Sequence, residues 1–91
     1  MEFTSTSRPV RYRSIAMYAR ALENAGRTRR FTITTAGAHA SAGGWEVKEE
    51  QDSQIVRSAH YTDWHRVERA RMAFAREVQT LQLAGWTEKS A

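Results

Sequence analysis

Four side chains that can bind a metal ion lie close together in this sequence, at His60, Asp63, His65 and Glu68. A zinc site needs three or four ligands that converge on one point. Local patterns place His60 at the end of a strand and His65 near the solvent side of a helix, so nothing brings the two imidazoles together. We therefore predict no metal site, and we expect both histidines in surface or capping positions.

The residues that enzymes use most often form no recognisable set either. The chain has no cysteine and no Gly-x-Ser-x-Gly nucleophile motif. Carboxylates cluster at Glu46, Glu49 and Glu50, but strand alternation places Glu46 and Glu50 on the face away from the apolar residues. A carboxylate needs burial to be tuned for acid–base catalysis. The sequence therefore predicts a protein that is not an enzyme and that uses no cofactor.

A run of small residues from Gly37 to Gly44 is the one segment that resembles a phosphate-binding loop in composition. It lacks the Lys-Ser/Thr pair of a P-loop, and a strand rather than a helix is predicted after it. Because the N-terminus of a following helix supplies much of the attraction for phosphate, we interpret this run as a hairpin connection.

The longest predicted element is an amphipathic helix between Thr62 and Trp86. One of its faces is apolar and consists of Trp64, Val67, Ala70, Phe74, Val78 and Leu81. Thr62 is the predicted N-cap, and Gly85 stands where a left-handed residue ends a helix. In the Schellman pattern the next residue, Trp86, contacts Leu81.

Three segments before this helix alternate with a period of two and are predicted strands: Arg30 to Ala36, Trp45 to Glu50, and Gln54 to Tyr61. Gln51-Asp52-Ser53 supplies a tight turn between the last two. The predicted core face holds Phe31, Ile33, Trp45, Val47 and either Ile55 or Val56.

Residues 14–25 fit two patterns. A helix is favoured by three features: Ser14 as a cap, an apolar stripe that includes Tyr18 and Leu22, and a stop at Asn24-Ala25-Gly26. Alternation of Val10, Tyr12, Ser14 and Ala16 with arginines fits a strand instead. The alanine and leucine content of this segment favours the helix.

Together these elements predict an α+β domain with the order α-β-β-β-α, in which a three-stranded antiparallel meander has one face covered by the C-terminal helix. The domain spans residues 10–86, with flexible tails at 1–9 and 87–91. Without cysteine, an N-terminal signal pattern or a long apolar run, the chain is predicted to be cytoplasmic.

The predicted topology, with His39 in the loop between the first two strands, resembles the double-stranded-RNA-binding domain. In that family a lysine cluster at the start of the last helix grips phosphates. This helix instead begins Asp63-Trp64-His65-Arg66-Val67-Glu68, so the resemblance is one of topology and we assign no membership.

The formal charge of +4 is unevenly distributed, with basic ends and an acidic segment at residues 45–63. Basic segments attract polyanions such as nucleic acid. The candidate phosphate contacts are Arg27, Arg29 and Arg30, with Arg11 and Arg13 from the N-terminal arm. For Arg66, Arg69 and Arg76, on the outer side of the helix, a solvated surface is the simpler interpretation.

Protein binding is the other predicted function, and the one we favour. Met72 and Leu83 lie on the outer side of the helix and are not needed for its core face, and Arg76 lies between them. A small sheet with free edges also tends to pair with another chain, so a homodimer is one expected form. The sequence thus predicts a binding module with a protein partner or a second copy of itself, with nucleic acid as the alternative and no role for a membrane.

Overall fold

The structure is a computed structural model, and it describes residues 16–35 and 43–89. Within these ranges the chain forms a five-stranded antiparallel sheet and one helix, so the protein is α+β as predicted. The elements are β1 (Ala16–Asn24), β2 (Arg27–Thr35), β3 (Trp45–Gln51), β4 (Gln54–Tyr61), α1 (Trp64–Leu83) and β5 (Thr87–Glu88). The strand order across the sheet is β4-β3-β2-β1-β5.

Helix α1 lies on one face of the sheet and forms the core with it. Phe74 is central: its ring centroid lies 5.0 Å from that of Phe31 and 6.2 Å from that of Tyr18. Strand alternation sends every second residue of β2 and β3 toward the helix, as the sequence predicts. The buried apolar side chains are Leu22, Phe31, Ile33, Val47, Val67, Phe74, Val78 and Leu81.

The predicted helix at residues 14–25 is wrong, because residues 16–24 form β1. Large side chains at Tyr18, Arg20 and Leu22 alternate with Ala19 and Ala21, which is a period of two, and pairing with β2 buries Leu22. Pairing with the neighbouring strand therefore outweighs the helix propensity of alanine and leucine. The topological resemblance to the double-stranded-RNA-binding domain is lost with that helix.

The turn after β1 has a backbone conformation that also occurs where helices end. Ala25 and Gly26 both have positive φ, 51° and 83°, and Asn24 pairs directly with Arg27 across them. Two consecutive left-handed residues make a tight hairpin turn, and the same backbone conformation is typical of helix C-termini. The residue types at this turn therefore suit either structure.

A second tight turn joins β3 to β4, as predicted, at Asp52 and Ser53, which both have positive φ. Farther along β4 the pairing shifts: Glu50 faces Ile55, but Glu49 faces Arg57, so Val56 is an extra residue in a β-bulge. Ile55 lies opposite Glu50 on the open face, and the bulge places Arg57 instead of Val56 opposite Glu49 on the helix face, so neither Ile55 nor Val56 enters the core. The prediction that one of them would do so is wrong.

Both ends of α1 are capped. At the start, Asp63 and not Thr62 is the N-cap, since its carboxylate accepts a hydrogen bond of 3.0 Å from the backbone N–H of His65. At the end, Gly85 has a φ of 103°, and the N–H of Trp86 donates to the carbonyl of Leu81 at 3.0 Å. The predicted Schellman motif is confirmed.

The chain after α1 returns to the sheet. Thr87 and Glu88 form β5 against Leu22 and Glu23 of β1, so these two residues of the predicted tail at 87–91 belong to the sheet. Residues 90 and 91 lie outside the described residues. The predicted tail at 1–9 lies outside the described residues. β5 thus occupies one edge of the sheet, and β4 forms the other.

Candidate interaction surfaces

Three of the four side chains considered as metal ligands have another partner in the structure. His60 Nε2 lies 2.7 Å from the carbonyl oxygen of Gly43, Asp63 caps α1, and Glu68 accepts hydrogen bonds from Arg71. Among residues 16–35 and 43–89, no three His, Asp or Glu side chains are grouped as metal ligands would be. His39 lies outside the described residues.

Glu49 is a buried carboxylate on the helix side of the sheet, with only 8% of its surface exposed. Arg29 donates a hydrogen bond of 2.7 Å to Glu49 and also lies 3.5 Å from Glu77 of α1. Arg57 of β4 approaches Glu49 at 3.7 Å. This network ties β2, β3, β4 and α1 together, so its evident role is structural.

The structure does not bring the candidate phosphate contacts onto one surface. Arg29 points to the helix side and is engaged by Glu49. Arg27 lies at the first hairpin turn, 3.8 Å from Asp52, while Arg30 is exposed on the opposite, open face of the sheet. Arg11 and Arg13 lie outside the described residues. The three described arginines therefore share no single surface, and the phosphate site stays a prediction.

The open face of the sheet carries a surface hollow of about 390 Å³. The small side chains of Ala19 and Ala21 of β1 form its floor. Arg30 and Lys89 place positive charge at its margin and Glu50 places negative charge there. Arg20 and Arg29 also line the hollow, but their guanidinium groups pair with Glu88 and Glu49. Its lining contains no histidine, so it offers no imidazole for acid–base chemistry.

The outer side of α1 presents the predicted interface residues to solvent. Met72 is 53% exposed and Leu83 is 85% exposed, and Arg76 is exposed between them. Leu83 follows Met72 by eleven positions, which is roughly 16 Å along the helix axis. The two apolar side chains are thus isolated points on a polar surface and do not form one patch.

The outer edge of β4 is the most exposed apolar feature of the sheet. All residues from Gln54 to Ser58 are exposed, with Ile55 at 57% and Val56 at 52%. The strand contains no proline, and its one charged residue, Arg57, is paired with Glu49. Free edges are normally protected by charged residues, proline, a bulge or a covering segment. β4 has one bulge, at Val56, and one charge, at Arg57, and no described strand pairs with its outer side.

The opposite edge of the sheet is covered at the end of β1, from Ala21 to Glu23. β5 pairs with the end of β1, and Arg20 holds Glu88 through two hydrogen bonds, the longer of them 2.6 Å. Lys89 adds an ion pair with Glu23 at 3.9 Å and a backbone hydrogen bond to the carbonyl of Ala21. The sequence predicts free edges in general, but which edge is free follows only once β1 and β5 are known to be strands.

The Arg20–Glu88 pair gives a prediction about acid stability. The hydrogen bond from Arg20 holds the pKa of Glu88 below its ordinary value of 4.5. Because the pKa is lowered in the folded state, the pair stabilises the fold above that ordinary value, and its contribution is lost as the pH falls through the lowered one. We expect Glu88→Gln to lower the urea midpoint at neutral pH and to flatten the fall in midpoint below pH 4.5. A variant with the same acid dependence as the wild type would contradict this.

No family model, curated protein or solved structure matches this chain. Within the described part of the chain, no helix combines the length and apolar character needed to cross a membrane. The case for function therefore depends on the surfaces themselves.

Proposed function

We propose that this chain is a non-enzymatic protein-binding module that accepts a strand from its partner along the exposed edge of β4. The observation that carries the proposal is the contrast between the two edges of one sheet. β5 and two ion pairs cover the end of β1, whereas β4 leaves Ile55 and Val56 open to solvent.

Strand addition suits this edge physically. The outward N–H and C=O groups of an edge strand provide main-chain hydrogen bonds, and alternate side chains provide specificity. Ile55 and Val56 add apolar area beside those groups, since each is about half exposed. The absence of cysteine suits a reducing compartment, so we place this activity in the cytoplasm.

A second candidate is the binding of nucleic-acid phosphates by the outer side of α1. Arg66, Arg69 and Arg76 are exposed there and form no ion pair with another residue of the described ranges. The acidic residues of the helix are already engaged, Glu68 by Arg71 and Glu77 by Arg29. A phosphate-binding surface on this side of α1 would use other arginines than the predicted Arg27, Arg29 and Arg30.

Two variants with the same added charge separate the surfaces. The edge variant carries Val56→Lys and Ser58→Lys, which place two lysines along the exposed edge of β4. The helix variant carries Met72→Lys and Leu83→Lys on the outer side of α1. All four positions are exposed, so neither variant disturbs the core. We expect the edge variant to weaken association at least about tenfold, which corresponds to roughly 1.4 kcal/mol, while the helix variant associates like the wild type.

Association is measured by sedimentation over a wide concentration range and by capture from native lysate, with and without nuclease. If the edge variant associates as tightly as the wild type, β4 is not the binding surface. Loss of association in the helix variant alone would assign the interface to α1. Capture that disappears after nuclease treatment would favour the nucleic-acid function instead.

A further inference from the structure

We propose that the partner of the β4 edge is a second copy of this chain, paired antiparallel across a two-fold axis that passes beside Ala59. The inference rests on the proposed function and goes beyond it by naming the partner and the register. Three features of β4 carry it: the position of the bulge, the faces of its residues and the charges along it.

The bulge limits which part of β4 can serve as a template. Beyond Val56, the segment from Arg57 to Tyr61 pairs regularly with β3, from Glu49↔Arg57 through to Trp45↔Tyr61. A bulge bends its strand and disrupts the ladder locally. A partner strand therefore finds five consecutive regular residues, 57–61, and no longer regular stretch within β4.

Symmetry then restricts the register. A two-fold axis that relates side-by-side antiparallel strands is perpendicular to the sheet, so it leaves each residue on its own face. Residues opposite each other in a sheet share a face, so the axis must pass beside a residue and not between two. A centre at Ala59 pairs all five regular residues, whereas a centre at Ser58 or His60 pairs only three of them.

The Ala59 register also gives compatible neighbours on both faces. On the helix side, Arg57 lies opposite the partner's Tyr61, where a guanidinium and an aromatic ring attract each other. The two small Ala59 side chains meet at the axis on the same helix side. On the open side, Ser58 lies opposite the partner's His60. A centre at Arg57 would instead place two like charges directly opposite each other, which is destabilising.

This self-complementarity is the reason for choosing a second copy. The edge carries one charged residue, Arg57, and that residue is already neutralised by Glu49 at 3.7 Å. Two copies therefore approach without charge repulsion along the paired segment. Their sheets join into one of ten strands, with both α1 helices on the same face.

The absence of cysteine makes the register directly testable. Opposed residues of an antiparallel pair have Cα atoms about 4.5–5.5 Å apart, which lies within the range that a disulfide spans. We expect Ala59→Cys to form a disulfide-linked dimer under mild oxidation. Ser58→Cys and His60→Cys should each remain unlinked alone but should cross-link with each other when mixed. Gln79→Cys, exposed on the outer side of α1, is the control for random collision.

The mixed pair keeps the test valid if Ala59→Cys folds poorly. A disulfide in Ser58→Cys alone would overturn the register while leaving an edge-paired dimer. Two results together would overturn the second copy as partner. The β4 cysteine variants would cross-link no faster than Gln79→Cys, and the protein would be a monomer at every concentration under reducing conditions. In that case lysate capture that the edge variant abolishes would still support the proposed function, and capture that the edge variant retains would overturn both.

Discussion

Phe74→Ala is expected to lower the free energy of unfolding by about 3–5 kcal/mol, the usual cost of removing a buried phenylalanine ring. Phe74 is almost fully buried and contacts the rings of Phe31 and Tyr18 from the centre of α1. The cavity would lie between the helix and the sheet, where no other layer among the described residues can move in to fill it. A domain of this length has a total stability of roughly 5–14 kcal/mol, so the variant would retain only part of it.

Urea denaturation followed by tryptophan fluorescence measures this loss. Met72→Ala is the matched control, because Met72 lies on the same helix but is half exposed, and its cost should stay within about 0.5 kcal/mol. Equal midpoints for the two variants would show that Phe74 does not anchor α1 on the sheet.

Glu49→Gln is expected to be the most damaging substitution of a charged residue, at about 2–3 kcal/mol. It removes the negative charge that faces Arg29 at 2.7 Å and Arg57 at 3.7 Å in a poorly exposed position. Hydrogen bonds to charged groups contribute about 1.5–3 kcal/mol, and a buried pair that loses one partner costs up to about 5 kcal/mol. We place the cost below that limit because Glu77 still neutralises part of the charge of Arg29.

The control is Glu46→Gln, since Glu46 is half exposed and pairs with Lys48 at 3.7 Å, so its change should cost less than about 1 kcal/mol. The double variant Arg29→Met with Glu49→Leu should recover most of the loss, because an apolar pair replaces the ion pair without leaving a buried charge. A double variant as unstable as Glu49→Gln would show that the charges are needed for packing as well as for neutralisation.

The sequence predicts the second half of the fold well because the signals there are local. The bounds of β4 match the predicted segment from Gln54 to Tyr61, and the Gly85–Trp86 ending of α1 is confirmed. These features are determined by residues that are neighbours in the sequence: the residues of a tight turn, an alternation with a period of two, or a glycine just after a helix.

The first element and the last strand were missed because their signals are not local. Residues 16–24 are rich in alanine, and only pairing with β2 makes them a strand. Thr87 and Glu88 carry no strand pattern of their own and are held by β1 and Arg20. The same two strands decide which edge of the sheet is free, so the location of the proposed site depended on the part of the fold that was least predictable.

The two residues of β5 also bear on how far such pairing can spread. A sheet with two bare edges adds chains at both sides and grows without limit, as amyloid fibrils do. Here β5 and the Arg20–Glu88 ion pair cover the end of β1 and make the two edges unequal, so we expect the proposed pairing through β4 to stop at two copies. On the proposed pairing, the short segment after α1 would act as a stop against polymerisation, and a chain cut after Trp86 would lose that stop.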